Sequence, residues 1–193
     1  TQKVALAVVV LLLVFSLITT AAMVSVRRNA GISEHLTEHT IPFVLASGTF
    51  HVHLARAFAE AETVAHTQET QKRDQLAIER EAAGAALAVL AGLAAEDDLD
   101  ALDEMEAQRA LHQRQTQLFI TTGQVMDAVL AAHQANDLAA RSAALDDLQA
   151  LQEKFIILEE EANILVTDVA STASRELTAS TQTVLFAAPI SFS

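Results

Sequence analysis

The chain has 193 residues, a formal net charge of −13 and no cysteine. The lack of cysteine excludes disulfides and thiolate metal sites, and the negative charge argues against nucleic acid as a partner, because phosphate binding needs a patch of lysine and arginine. Apolar residues make up 51% and aromatic residues only 4%, with 5 glycines and 2 prolines. This composition is typical of long helices joined by short connections.

The first segment of the chain is uncharged from Val4 to Val26. At about 1.5 Å per residue, a helix of this length covers a hydrocarbon core of about 30 Å. We therefore expect a transmembrane helix over residues 1–26; the alternative is a cleaved secretory signal. Arg27 and Arg28 follow directly, and the positive-inside rule would place that end in the cytoplasm.

Four amphipathic segments follow, each with one apolar stripe at helical spacing. We expect helices at about 32–66, 71–94, 100–134 and 138–182. In the last of these, apolar residues alternate at spacings of three and four, which is a heptad seam. The seam consists of Leu148, Leu151, Phe155, Leu158, Ala162, Leu165 and Val169. It leads into the apolar residues 183–193, which we interpret as the start of a second transmembrane helix.

The connections between these helices are short and polar. Residues 67–74 contain no apolar side chain, and we place a chain reversal there. Ala135-Asn136-Asp137 is a predicted turn in which Asn136 or Asp137 caps the next helix. Pro42 should kink the first helix in its first turns. Because the chain begins with Thr1 and stops soon after a second apolar stretch begins, we expect it to be a piece of a longer protein.

Packing all four stripes around one core predicts an all-α fold. The expected architecture is an antiparallel up-down-up-down four-helix bundle over residues 27–182, with an N-terminal transmembrane helix and the start of a second one. Four helices bring both ends of the bundle to the same pole, where two spans can enter one bilayer.

The features that define this pattern are the span Val4–Val26, the segment Ile41-Pro42-Phe43, the polar hairpin at 67–74, and the seam from Leu148 into residues 184–190. The arrangement resembles the four-helix-bundle sensory domain of bacterial transmembrane receptors, of the methyl-accepting chemotaxis protein and sensor histidine kinase type. The resemblance covers nearly the whole chain and depends on architecture more than on a motif.

The resemblance implies a ligand-sensing domain on the periplasmic or extracellular side of the inner membrane. It also implies a homodimer, and a conformational change that passes through the fourth helix to a cytoplasmic output domain. Relatives that bind amino acids use several arginines near the first helix, whereas here Arg56 is the only Arg or Lys between Arg28 and Lys72. The ligand therefore stays open between a small molecule and a periplasmic protein.

No nucleophile–base motif, phosphate-binding loop or HExxH sequence is present, so we expect no enzymatic activity. The side chains that remain as candidates for ligand binding are mostly histidines. They are His39, His53, Arg56, His112 and His133. The alternative for each histidine is a hydrogen-bonded position at the edge of the core.

Two cofactor hypotheses follow from the histidines. His39 and His112 lie at similar depths on the first and third helices, so they can clamp a haem iron between diagonal neighbours. His35 and His39 have the i, i+4 spacing of a metal site, with Glu38 as the nearest third ligand. The alternative function is accordingly a haem- or metal-binding redox sensor or electron-carrying membrane bundle.

A third function is an interaction module for a periplasmic partner protein. Val44, Leu45 and Val52 lie off the main apolar stripe of the first helix. They form a possible surface for a partner or for a second copy of the chain.

Overall fold

A computed structural model describes residues 36–67, 70–95 and 102–187, together with the pairs 19–20, 23–24, 26–27, 30–31 and 33–34. This part of the chain is helical apart from short turns, and it contains no strand. Four α-helices make up most of it: α1 (Ile41–His66), α2 (Thr70–Ala95), α3 (Leu102–Gln134) and α4 (Leu138–Ala187). The expected all-helical class with four helices is confirmed.

The chain divides into two compact units. The larger one, Ile41–Thr167, contains α1, α2, α3 and most of α4, and we call it the bundle. The other combines Thr1–Thr40 with Asp168–Ser193. The domain bounds expected over residues 27–182 stay a prediction.

The bundle has one main core, to which all four helices contribute the predicted faces. Its largest fully buried side chains include Phe50 and Leu54 of α1, Leu90 of α2, Met126 of α3 and Leu148 of α4. Burying an apolar side chain of this size contributes about 1.5–3 kcal/mol. The repeating stripes read from the sequence are thus the main stabilising element of the fold.

The heptad seam of α4 packs as expected. Its first five members are almost fully buried: Leu148, Leu151, Phe155, Leu158 and Ala162. Leu165 and Val169 are half-buried, and Ser171 and Thr172 are exposed. The seam thus weakens where the apolar spacing in the sequence does.

Polar contacts show that consecutive helices run antiparallel. Lys72 pairs with Glu60 at 3.1 Å near the α1–α2 reversal, and Glu79, further along α2, lies 2.6 Å from His53, which comes earlier in α1. The helices α2 and α3 show the same antiparallel pattern. Arg80, in the first half of α2, pairs with Asp127, late in α3, and Arg109, early in α3, donates to the Ala94 carbonyl near the end of α2 at 2.8 Å. In contrast, Gln115 of α3 reaches Ser47 of α1, its parallel partner across the core.

The predicted turn between α3 and α4 is present with the expected chemistry. Asn136 has φ 52°, a left-handed conformation that asparagine tolerates better than most residues. Asp137 then caps α4, because its Oδ1 accepts from the amides of Ala139 and Ala140 at 3.1 and 3.0 Å. The Asp137 amide donates back to the Ala132 carbonyl at 3.0 Å and closes the end of α3.

Pro42 acts differently from the expected kink. It is the second residue of α1, and a π-helical turn, Leu36–Thr40, comes directly before α1. Proline has no amide hydrogen, so it is tolerated in the first turn of an α-helix. It interrupts the backbone hydrogen bonds of the turn before it, because it cannot donate to them. The α-helix resumes at Ile41 after this turn. Ser33 and Glu34, before the turn, are also helical, so the helix start near residue 32 stays a prediction.

No helix within the described residues is long and apolar enough to cross a membrane. The predicted span Val4–Val26 falls largely outside the described residues, as does the end of the second predicted span at 188–193. From the sequence, Asp98 or Asp100 could cap α3, because a side-chain oxygen there can accept from the amides of the first turn. Both residues lie outside the described residues.

Candidate functional site

Aromatic rings cluster in the middle of the bundle around a buried histidine. His51 of α1 contacts the ring of Phe155 of α4 edge-on, with centroids 5.5 Å apart, and Phe155 also meets Phe58 at 5.7 Å. Phe50 meets Phe119 of α3 at 6.2 Å. Edge-to-face pairs at these distances contribute beyond their buried area, so they fix α1 against both α3 and α4.

A small polar network crosses this aromatic cluster. Nε2 of Gln115, which is fully buried, donates to Ser47 Oγ at 2.9 Å and lies 3.4 Å from His51 Nε2. Burial lowers the pKa of His51 to about 4, so its imidazole is neutral at pH 7. In the tautomer that leaves Nε2 without a hydrogen, this nitrogen can accept a hydrogen bond from Gln115 Nε2. Gln115 Oε1 and Thr122 Oγ1 are buried without a hydrogen-bond partner.

His53 and Arg56, two of the predicted ligand-binding residues, lie near one carboxylate of α2. His53 Nδ1 is 2.6 Å from Glu79 Oε2, and Gln75 Nε2 donates to Glu79 Oε1 at 2.9 Å. The hydrogen bond from His53 holds the pKa of Glu79 below its usual range, with smaller contributions from Gln75 and from the charges of His53 and Arg56. Because Glu79 is only 8% exposed, these groups satisfy a buried carboxylate that joins α1 to α2.

His112 and His133 lie on one face of α3, because they are 21 residues apart, and each is half-buried. The Nδ1 atom of each is buried without a partner, and burial lowers the pKa of His112. They are three heptads apart, about 30 Å along the helix, so they cannot hold one small ligand together.

The two predicted haem ligands fall in different units of the chain, and one of the three predicted metal ligands lies outside the described residues. His35 lies outside the described residues, Glu38 is exposed, and His39 is half-buried in the π-helical turn. His39 belongs to the smaller unit, whereas His112 belongs to the bundle. Within the described residues no group of three histidine or acidic side chains is placed to hold a metal ion. The haem and metal sites stay predictions.

A groove between α3 and α4 is a concave site of the bundle. It has a volume of about 310 Å³, and Leu118, Leu151 and Leu158 form its apolar floor. Arg114 and Glu161 pair across it from α3 to α4, and Lys154 of α4 also lines it. The groove thus combines an apolar surface with two cations.

The groove exists because the largest side chains of its two helices point elsewhere. Phe119 of α3 packs on Phe50 and lies 3.4 Å from the Cβ position of Gly84 in α2. Phe155 of α4 packs on α1 through His51 and Phe58. The space between α3 and α4 is therefore lined by leucine side chains, which do not fill it completely.

Sequence reasoning did not single out His51 or Gln115, and it named Leu151 and Leu158 only as members of the heptad seam and not as the floor of a groove. His51 and His53 are two residues apart and so lie on different faces of α1: His51 is buried and His53 is half-buried. The heptad position of Gln115, between Gln108 and Thr122, was a usable signal, since all three are buried polar residues on one stripe of α3.

Comparison of this chain with protein-family models, with curated proteins and with solved structures found no match.

Proposed function

We propose that this chain is the ligand-sensing part of a bacterial transmembrane signalling receptor of the chemoreceptor type. The observation that carries this proposal is α4, a single helix of 50 residues from Leu138 to Ala187. It contributes to both units of the chain, and at about 1.5 Å per residue it is about 75 Å long. A helix of this kind is suited to pass a small displacement from a ligand site to a distant element.

The membrane arrangement is part of the same proposal. Residues 1–26 form the first transmembrane helix and residues 183–193 begin the second, so that residues 27–182 face the periplasm or the exterior of an inner membrane. The uncharged run from Val4 to Val26 and the apolar residues after Thr183 support it. Arg27 and Arg28 oppose it under the positive-inside rule, which makes orientation the feature to measure.

The outer face of α1 supports assembly as a homodimer. Exposed positions recur there at spacings of four and three, without a charge: Ile41, Leu45, Gly48, Val52, Ala55 and Ala59. We call this set the outer seam of α1. Of the three residues predicted for a partner surface, Leu45 and Val52 belong to it, and Val44 is half-buried beside it. A heptad of small and aliphatic residues fits a second copy of the same helix.

Signal transmission through α4 is tested by breaking the helix without disturbing the core. Ser171 and Thr172 are both exposed, so replacing them with Gly and Pro removes no buried contact but interrupts the helix, since proline costs about 3 kcal/mol in a helix interior. In a chimera that joins residues 1–193 to a histidine-kinase output domain, the Ser171→Gly/Thr172→Pro variant should lock kinase activity at one level.

The matched control is Ser171→Ala/Thr172→Ala, which keeps the helix and should retain a kinase response to stimulus. If the Gly-Pro chimera responds as the Ala-Ala chimera does, α4 does not act as a rigid relay.

The haem alternative is tested independently by the visible spectrum of the purified chain. A Soret band that disappears in His112→Ala would favour a redox sensor over a ligand sensor.

A further inference from the structure

The groove between α3 and α4 has the size and surface of a small-molecule site. Its volume of about 310 Å³ falls at the lower end of the usual range, roughly 300–1,000 Å³. The floor residues Leu118, Leu151 and Leu158 are each less than 10% exposed. Ile157 stands at the rim of the groove and is 58% exposed. An apolar chain laid on this floor would cover aliphatic surface on both helices.

The charges around the groove favour an anion. Arg114 is already paired with Glu161. Lys154, in contrast, has no hydrogen-bond or ion-pair partner among the described residues, and its helical neighbours four residues away, Ala150 and Leu158, are uncharged. Lys72, on α2, is paired with Glu60 at 3.1 Å. In a chain with 25 acidic and 12 basic residues, an unpaired ammonium beside an apolar groove leaves a cation available to a ligand.

We propose that this groove binds a small amphipathic carboxylate, with an alkyl chain on the leucine floor and the carboxylate at Lys154 Nζ. Gln117 and Thr121 offer polar groups on the α3 edge, where Gln117 Nε2 already donates to Thr121 Oγ1 at 3.3 Å. A charge-assisted hydrogen bond from lysine is stronger than a neutral one, so the headgroup supplies specificity and the alkyl chain supplies buried area.

This inference names the ligand class of the proposed sensor, and it depends on the proposed function for its role as a signal. A ligand placed between α3 and α4 binds some separations of the two helices better than others. It shifts their equilibrium by the difference in affinity. Because α4 is the proposed relay, the groove lies directly on the transmitting helix.

The test is calorimetric titration of octanoate into the full chain held in lipid nanodiscs at pH 7, with empty nanodiscs as the blank for lipid partitioning. Lys154→Gln should weaken binding by about tenfold or more, which corresponds to about 1.4 kcal/mol. Lys72→Gln removes the same charge from α2 and should stay within about twofold of the original chain. Octanamide, which has no charge, should bind as weakly to the original chain as octanoate binds to Lys154→Gln.

A second variant tests the groove independently of charge. Thr121 is half-buried at the groove, and Thr121→Trp fills the space above the leucine floor and should abolish octanoate binding. The proposal is overturned if octanoate does not bind, if Lys154→Gln and Lys72→Gln bind it equally, or if Thr121→Trp binds it as the original chain does. If octanoate binds as expected but leaves the activity of the kinase chimera unchanged, the ligand site in the groove is supported and the proposed receptor function is contradicted. If octanoate fails to bind while the chimera still requires an intact α4, the ligand class alone is wrong.

Discussion

His51 shows at the scale of one residue how burial sets a chemical property. Its ring lies against Phe155, and Gln115 Nε2 lies 3.4 Å from its Nε2. No charged group stabilises a protonated imidazole there, and burial lowers its pKa to about 4. The neutral ring therefore belongs to the folded state at physiological pH.

This pKa makes the stability of the bundle depend on pH in a defined direction. In the unfolded chain an imidazole titrates near 6.5, so between about pH 6.5 and pH 4 the unfolded state binds more protons than the folded one. The contribution of His51 is complete above pH 6.5 and is lost as the pH falls to about 4. We expect a loss of about 3 kcal/mol in the free energy of unfolding, since each pKa unit corresponds to about 1.4 kcal/mol.

Urea unfolding of the original chain and of His51→Leu at a series of pH values measures this effect. The variant should lose much of the slope between pH 6.5 and 4, whereas both proteins should show parallel curves above pH 6.5. Equal slopes in the acid window would show that His51 is not responsible.

At the scale of the element, the outer seam of α1 makes a prediction that separates folding from assembly. Gly48 lies in the interior of α1, and a Cβ built there meets nothing within 4 Å. Glycine costs about 1 kcal/mol relative to alanine in a helix interior, so Gly48→Ala should stabilise the isolated bundle. If a second copy packs against the outer seam, the same change should raise the dissociation constant of the dimer several-fold, because small residues permit close helix approach.

Gly92 provides the matched control, since it is exposed in α2 and its Cβ position is equally open. Gly92→Ala should raise stability by a similar amount and leave the dimer unchanged by analytical ultracentrifugation. The homodimer through α1 is contradicted if the two variants associate alike.

The same scale shows what the sequence could predict and what it could not. The spacing of Leu148 to Ala162 identified the buried face of α4, and Asn136-Asp137 identified the turn before it, because both are local patterns. The pairing of His53 with Glu79 depends on the register of α1 against α2, which no local pattern sets. The α3–α4 groove depends on the direction in which the side chains of Phe119 and Phe155 turn within the core. Helical periodicity predicts only that these side chains point inward.

At the scale of the whole molecule, the proposed receptor combines a ligand groove, a long helix and a membrane anchor. The four-helix core is shown, whereas the anchor and the receptor function are proposals supported by the sequence pattern and by α4. The cysteine-free sequence makes the orientation of the bundle directly measurable, because one introduced cysteine is then the only thiol.

The most direct test is labelling of Ala143→Cys in intact spheroplasts with a maleimide that does not cross membranes. Ala143 is exposed on α4, and a thiol there should react if the bundle lies outside the inner membrane. We predict complete labelling before the membrane is permeabilised. Labelling only after permeabilisation would place the bundle in the cytoplasm, in agreement with Arg27 and Arg28, and would contradict an outward-facing sensor.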